Sequence, residues 1–206
     1  MDTNFRKYDY NDIITFAKTD GKFGGLSNMS PGFTLFINEI NIQSSEILYQ
    51  ACKFSLFPNI QEEIIKTQNP MDAKKISRKY NQYVRQDWEK IKFKVMRWCL
   101  EIKLIQNFNK FSNILLSTND KIIVEFSKTD NIWGAIPTDN KNVLEGKNAL
   151  GRLLMELRSK IQSGILNENS IIYPLPISGF NLYDYPIEEI RGIDYFINDL
   201  DEIYAY

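Results

Sequence analysis

Ser44-Ser45-Glu46-Ile47-Leu48-Tyr49-Gln50-Ala51-Cys52-Lys53-Phe54 is the stretch on which the reading of this chain turns. Taken as a helix, it brings Glu46, Tyr49, Gln50 and Lys53 onto one face, because residues three, four and seven apart are neighbours on a helix surface. Ile47, Leu48, Ala51 and Cys52 form the opposite, inward side. Ser44 or Ser45 can accept a hydrogen bond from a free backbone N–H and so start the helix. One short helix then presents a carboxylate, a phenol, an amide and an amine together, a layout suited to acid–base work on a polar substrate. The same spacing also describes an ordinary amphipathic helix with a solvated polar face.

Upstream of this helix, Phe33-Thr34-Leu35-Phe36-Ile37 and Ile40-Asn41-Ile42 read as a hairpin turning at Asn38-Glu39. Ile13-Ile14-Thr15-Phe16 predicts an edge strand. Gly21-Lys22-Phe23-Gly24-Gly25-Leu26-Ser27-Asn28-Met29 is a loop whose glycines permit close approach to a ligand, and it matches neither a P-loop nor a dinucleotide fingerprint. Downstream, Pro58 reads as the break after the helix, with a short helix from Gln61 to Thr67. Asn69-Pro70-Met71-Asp72 opens another, with Ala73, Ile76 and Tyr80 on one side and Lys74, Lys75, Arg78 and Lys79 on the other. The longest helical pattern runs from about Asp87 to Phe108, where Ile91, Val95, Trp98, Ile102 and Ile105 recur in steps of four and three. Trp98 in this stripe reads as core, while Lys90, Lys92, Lys94, Arg97 and Lys103 fall elsewhere on the helix. Ile122-Ile123-Val124-Glu125-Phe126 is a strand by its β-branched content. Residues 127–148 read as a long loop, a feature often functional within compact domains. Leu150, Leu154, Leu157 and Ile161 mark a last helix stopped by Gly164. The expected organisation is one domain over residues 1–164, followed by an extension over 165–206. That extension is rich in aromatics and proline, acidic toward its end, and packed on the domain.

Composition bounds the chemistry. The 206 residues are 43% apolar and 25% charged, as in a globular domain long enough to bury a core. No apolar run of about 18 residues predicts a membrane span, and Met1-Asp2-Thr3-Asn4-Phe5-Arg6-Lys7-Tyr8 lacks the apolar stretch of a signal peptide. Cys52 and Cys99 lie in apolar helical patterns and are expected to be buried thiols of a cytoplasmic protein rather than a disulfide framework. There is no histidine, which excludes a Ser-His-Asp triad, a Cys-His pair and a His-ligated zinc site; two cysteines are too few for an all-cysteine zinc site. Acid–base work must come from Asp, Glu, Lys, Tyr or Cys. No cofactor or metal site is legible, although carboxylate sites for hard cations stay open. The net charge of −1 conceals an asymmetry: residues 66–110 carry 12 basic and 4 acidic side chains, residues 111–206 carry 8 basic and 14 acidic. A basic middle can attract phosphate or nucleic acid, or it can be a solvated helical face.

Several separated pieces recur together in one known family. They are Phe23-Gly24-Gly25-Leu26-Ser27-Asn28-Met29, Ser45-Glu46 with Tyr49-Gln50-Ala51 and Lys53-Phe54, and Asn69-Pro70-Met71 with Ala73-Lys74. Asp87-Trp88, Met96, Lys103, Gln106-Asn107, Leu115-Leu116, Thr118 and Val124-Glu125 follow. Asp130, Trp133-Gly134 and Asn148-Ala149-Leu150-Gly151-Arg152-Leu153-Leu154-Met155-Glu156-Leu157-Arg158 complete the set. In this order, over roughly residues 20 to 160, the chain resembles the NADAR family, also called YbiA-like. The resemblance implies a predominantly helical α+β domain with a small β-sheet, and activity on N-glycosidic bonds. One branch of the family hydrolyses early intermediates of riboflavin biosynthesis. Another removes ADP-ribose from guanine in nucleic acid and is found as the antitoxin beside DarT-type toxins that ADP-ribosylate DNA. The chain is more similar to the second branch through Phe-Gly-Gly-Leu-Ser-Asn-Met, Leu48 to Cys52, Met96 to Leu100 and the proline-containing tail. The resemblance thus implies ADP-ribosylated DNA or RNA as substrate, ADP-ribose as product and a cognate toxin as partner; from the sequence itself no membrane and no cofactor are expected. Ile47 stands where many relatives carry histidine, and Ala135 to Gly146 is longer and less glycine-rich than in many of them.

Cleaving an N-glycosidic bond develops positive charge on the ribose, which a carboxylate can stabilise while an acid protonates the departing base. The resemblance points to Glu46 as that carboxylate; its other reading is a salt bridge to Lys53. Asp130 either grips ribose hydroxyls or caps its own turn. Lys53 can bind phosphate, polarise the leaving group or attack the opened sugar as a Schiff-base nucleophile, the last requiring a lowered pKa; otherwise it is an exposed helix lysine. Tyr49 and Gln50 share its face. Trp88 and Trp133 can stack on a base or pack in the core. Gly24, Gly25 and Asn28 can bind phosphate or ribose, or form a plain turn. Gly134 and Asn148 belong to the motifs, and Arg158 can hold pyrophosphate or pair with a helix carboxylate. The alternatives to ADP-ribosyl-guanine hydrolysis are an N-glycosidase acting on phosphoribosylamino-pyrimidines and a non-catalytic module that binds NAD, ADP-ribose or a toxin.

Overall fold

Residues 5–192 are described by a computed structural model; Met1 to Asn4 and the acidic end of the expected extension, 193–206, lie outside the described residues. In chain order the elements are β1 (Arg6–Asp9), β2 (Ile13–Phe16), β3 (Leu35–Ile37), β4 (Ile40–Ile42), α1 (Ser45–Ala51), α2 (Pro58–Ile65), α3 (Pro70–Lys79), α4 (Trp88–Gln106) and α5 (Phe108–Leu116). Then come β5 (Ile122–Glu125), β6 (Ile136–Pro137), β7 (Val143–Gly146), α6 (Ala149–Gln162) and four two-residue strands, β8 (Ile171–Ile172), β9 (Asn181–Leu182), β10 (Tyr185–Pro186) and β11 (Ile190–Arg191). This is the helix-rich α+β content expected. The elements group into two compact units, each built from two stretches of chain: the described residues through 30 with 109–165, and 31–108 with the described residues from 166.

In the first unit β2 runs parallel to β5, Ile13 opposite Ile122 and Phe16 opposite Glu125. β7 pairs antiparallel with β1 on one side and β6 on the other. Tyr8, Ile13, Val124, Ala135 and Leu144 form a buried cluster with Phe126 against it. β6 and β7 lie inside the segment that reads as a loop in the sequence, and β1 has no apolar run to announce it. Arg6-Lys7-Tyr8-Asp9 buries only Tyr8, so backbone pairing rather than side-chain pattern makes these segments strands. α6 packs on β5 at Gly151, where a Cβ would overlap the Ile123 carbonyl and the Asn148 side-chain amide.

In the second unit β3 and β4 make the expected hairpin, with Ile37 opposite Ile40. Asn38 and Glu39 both have positive φ, 48° and 61°, as the two-residue turn that matches strand twist requires. The Ser44 hydroxyl accepts from the Ile47 N–H at 3.3 Å and caps α1. Pro58 opens α2 instead of merely ending the preceding helix, since a first-turn residue needs no N–H partner; this shifts the helix to Pro58–Ile65 from the expected Gln61 to Thr67. Asn69 caps α3 by accepting from the Met71 N–H at 2.9 Å. The α4 stripe of Ile91, Val95, Trp98, Ile102 and Ile105 is buried, but so are Met96, Cys99, Leu100, Lys103, Leu104 and Gln106. α4 is therefore a central helix, and Lys103, which lies off the stripe, is fully buried with its ammonium 4.3 Å from the centre of the Phe33 ring. Gln106 grips β3, donating to the Phe36 carbonyl at 2.8 Å and accepting from the Phe36 N–H at 2.9 Å. Gln61 on α2 does the same for the β9–β10 turn, donating to the Asn181 carbonyl at 2.9 Å and accepting from the Tyr183 N–H at 2.8 Å. Trp98 donates to the Tyr173 carbonyl at 3.0 Å and meets Phe180 edge-on.

Because overpacking at a close backbone approach typically costs about 1–3 kcal/mol, Gly151→Ala is expected to lower the urea midpoint by a corresponding amount. Gly21→Ala, whose Cβ would sit in ordinary contact 3.9 Å from the Lys18 carbonyl, is expected to leave it unchanged.

Candidate active site

All seven residues of α1 are buried, which overturns the reading of a solvated polar face. Each polar side chain on it must therefore find a partner. Glu46 is 6% exposed. Its Oε1 accepts from Gln50 Nε2 at 2.8 Å, one turn along the helix, and lies 3.7 Å from Lys74 Nζ on α3. Because an ionised carboxylate only accepts, the Gln50 amide must turn its NH₂ toward Glu46 and its carbonyl away. That carbonyl is buried and receives no hydrogen bond from the protein. Leaving a buried acceptor unpaired costs about 1–3 kcal/mol, which an N–H or O–H of a bound molecule would recover.

Lys53 lies just beyond α1, in the tight turn Cys52–Phe54. Its ammonium donates to Ser77 Oγ of α3 at 3.2 Å and sits 5.8 Å and 5.6 Å from the ring centres of Tyr49 and Trp88. Those two rings are tilted against each other with centres 5.0 Å apart. Desolvation, reinforced by Lys74 and Arg78 and opposed by Glu46, draws the Lys53 pKa down from 10.5 to about 8. Lys53 is thus neither an exposed helix lysine nor the salt-bridge partner of Glu46, whose nearby cation is Lys74. Trp88 is both packed and beside Lys53 and Tyr49. Burial and the Glu46 carboxylate hold the Tyr49 phenol far above its usual range, so Tyr49 serves as a neutral hydroxyl. Cys52 and Cys99 are free and buried. Burial, a hydrogen bond between the two thiols and the nearby Glu46 push Cys99 well up, which makes it a poor nucleophile.

The remaining candidates belong to the first unit. Gly24 and Gly25 lie in a tight turn, Gly24–Leu26, where a Cβ on Gly24 would overlap the Thr19 carbonyl. Asn28 is buried. Asp130 is exposed, and its Oδ1 accepts from the Ile132 and Trp133 N–H groups at 3.0 and 2.8 Å, capping the turn. Trp133 is half-buried, and Gly134 approaches the Glu125 carbonyl too closely for any Cβ. Asn148 has φ 49°, donates to the Ile123 carbonyl at 2.8 Å and accepts from the Glu125 N–H at 3.1 Å, so its amide spans β5. Arg158 donates to Thr118 Oγ1 at 2.6 Å and to the Lys121 carbonyl at 2.9 Å, rather than pairing with a helix carboxylate. The polar groups of Asn148 and Arg158 thus hold backbone and turns of their own unit.

One unit therefore unites Glu46, Tyr49, Gln50, Lys53 and Trp88; the other holds Gly24, Gly25, Asn28, Asp130, Trp133, Gly134, Asn148 and Arg158. Lys74, Ser77 and Arg78 join the first group although the sequence reading set Lys74 and Arg78 on an outer face. Their signal was present in the spacing of three and four, with a small serine among the bases. Among the described residues no group of three or more Cys, Asp or Glu is placed to hold a metal ion, and no helix is long and apolar enough to cross a membrane.

The NADAR domain model matches residues 15–162. Over 149 residues, 72% of this chain and 88% of the relative, the chain is 35% identical to the N-glycosidase YbiA of Shigella boydii. It is 34% identical to a riboflavin biosynthesis protein of Vibrio vulnificus over 72% of this chain, but spans only 38% of that longer protein. The solved structure of Escherichia coli YbiA superposes with a TM-score of 0.63 at 32% identity, covering 77% of this chain and 89% of that one.

In a titration of lysine Nζ resonances, Lys53 is expected to lose its proton near pH 8, well before the exposed lysines. Glu46→Gln removes a negative neighbour and moves that midpoint lower; Arg78→Gln removes a positive one and moves it higher. A Lys53 midpoint in the ordinary lysine range would contradict this account of the site.

Proposed function

We propose, from the premise that this chain belongs to the NADAR domain family, that it is an N-glycosidase which removes ADP-ribose from ADP-ribosylated guanine in DNA or RNA, as an antitoxin to a modifying toxin. The observation that carries the reading is a buried carboxylate, Glu46, in one cluster with Lys53, an amine drawn down to about pH 8 beside two aromatic rings. A lysine desolvated next to other cations is the usual form of an amine nucleophile. The names of the relatives from Shigella and Escherichia coli support glycosidic chemistry.

The sequence of events follows from these groups. The lone pair of the base nitrogen opens the ribose ring as the ring oxygen takes a proton from solvent, and the Glu46 carboxylate stabilises the positive charge at C1′, which is left doubly bonded to that nitrogen. The neutral Lys53 amine adds to C1′, and the C1′–N bond to the base breaks as that nitrogen takes up a proton. Lys53 is then joined to C1′ as an imine. Water, giving a proton to the Glu46 carboxylate, adds to C1′, frees the amine and leaves an aldehyde sugar that recloses. The Gln50 carbonyl offers an acceptor to an N–H of the base or an O–H of the ribose, and Trp88 offers a flat face. Exposed Arg78, Lys90 and Lys94 lie in the basic segment 66–110, which favours a polyanionic substrate. A second reading, an N-glycosidase of phosphoribosylamino-pyrimidines, is favoured by the riboflavin-biosynthesis name of the Vibrio relative.

A DNA oligonucleotide carrying ADP-ribosyl-guanine is the test. The wild type is expected to release unmodified DNA, with Glu46→Gln and Lys53→Met slower by about 100-fold or more, the scale of lost acid–base or nucleophilic catalysis. The rate should rise with pH and level off above about 8 as Lys53 becomes neutral, and borohydride should trap a sugar on Lys53. A rate that falls above pH 8 with no trapped adduct makes Lys53 a proton donor instead. Full activity in Glu46→Gln removes Glu46 from the chemistry. No release by the wild type turns the search to the pyrimidine substrates, and protection without release marks a binding module.

A further inference from the structure

We infer that Lys74 and Arg78 of α3 form an anion subsite that takes the phosphate on C5′ of the substrate's ribose, beside the carbon that reacts. The inference rests on the N-glycosidase reading for the identity of the sugar, and on the following geometry for the anion.

α3 carries four basic side chains, and they divide by face. Lys75 pairs with Asp72 at 2.8 Å, and Lys79 pairs with Glu63 at 3.1 Å. These two are neutralised on the outer surface, where such pairs contribute little. Lys74, Ser77 and Arg78 are spaced three and four apart, so they share another face. Ser77 is buried and accepts from Lys53 Nζ at 3.2 Å, which fixes that face against the end of α1. Lys74 precedes Ser77 by one turn and Arg78 follows it directly, so the two cations flank the contact point. Lys74 reaches Glu46 at 3.7 Å. Among the described residues no carboxylate pairs with Arg78.

The local charge does not balance within the protein. Lys53, Lys74 and Arg78 meet one buried carboxylate, Glu46. Glu89 also acts on Lys53 from α4, but it is exposed and paired with Lys92. With Lys53 neutral, a positive excess remains, half sheltered on Lys74 and open to solvent on Arg78. Lys74 and Arg78 leave the backbone about 6 Å apart along the helix axis, and together they suit a tetrahedral anion, the guanidinium through paired N–H donors and the ammonium as a point charge. Because Ser77, between the two cations in sequence, is 3.2 Å from Lys53 Nζ, a phosphate held there would belong to the same sugar whose C1′ meets Lys53. Phosphorylated and unphosphorylated ribosides would then be told apart by binding, independently of the leaving group.

Calorimetric titration of the full chain with ribose 5-phosphate and with ribose tests this without relying on turnover. The wild type is expected to bind ribose 5-phosphate at least about tenfold more tightly than ribose, the scale of one or two charge-assisted hydrogen bonds. Arg78→Gln and Lys74→Gln should each abolish most of that ratio, and Arg78→Lys should keep part of it. The controls Lys75→Gln and Lys79→Gln should keep all of it. Unchanged circular dichroism and urea midpoints certify that the variants fold. Equal binding of the two sugars, no measurable binding of ribose 5-phosphate, or a full ratio in Arg78→Gln overturns the subsite. If discrimination is intact while the oligonucleotide is untouched, the proposed reaction fails and the subsite stands; the converse result separates them the other way.

Discussion

A seven-residue helix with no solvated face sets the terms for the unit around it. α1 has to bury Glu46, Tyr49 and Gln50 together with Ile47, Leu48 and Ala51, and buried polar groups are tolerated only when they are partnered. α2, α3 and α4 accordingly close around it. α3 supplies a cation to the carboxylate and a hydroxyl to the amine that follows the helix, and α4 supplies the indole that packs on the phenol. Gln50 is the exception: its amide is oriented by the carboxylate, and its carbonyl is left to something other than the protein. A folded core with one deliberate shortfall of donors is a common mark of a binding site, because the shortfall is made good when the ligand arrives.

In the other unit, residues that look like ligand contacts turn out to hold the backbone. Asn148 occupies a left-handed conformation that asparagine tolerates better than most residues, and from there it reaches both a carbonyl and an amide of β5. Arg158 satisfies a threonine hydroxyl and a carbonyl in the turn after α5. Gly134, Gly146 and Gly151 all sit where a Cβ would run into backbone. These positions constrain a pattern of sequence as tightly as chemistry does, so a shared motif by itself does not separate scaffold from site.

Long-range periodicity and turn chemistry were legible in the sequence. The α4 stripe, the Asn38-Glu39 hairpin, the cap at Ser44 and the last helix all rest on local rules. Two kinds of feature were not. Arg6–Asp9 depends on a partner far away in the chain and buries only Tyr8, and the Val-Leu-Glu-Gly of Val143–Gly146 is too short and mixed to announce a strand, although its burial alternates once paired. The electrostatic surroundings of Lys53 depend on which face of α3 turns inward. That orientation is set by the buried contacts of Ala73 and Ser77, and the abundance of charge on α3 concealed it. The proximity of Glu46 and Lys53 is legible because they share one stretch of chain; the proximity of Lys74 to Glu46 is not, because the two come from different helices.

The two thiols carry a practical consequence. Cys52 and Cys99 are the chain's entire complement of cysteine, and both are shielded in the interior. This chain is therefore already a quiet background for maleimide chemistry. A cysteine placed at a surface position would take a fluorophore or spin label alone, with the interior left unaltered.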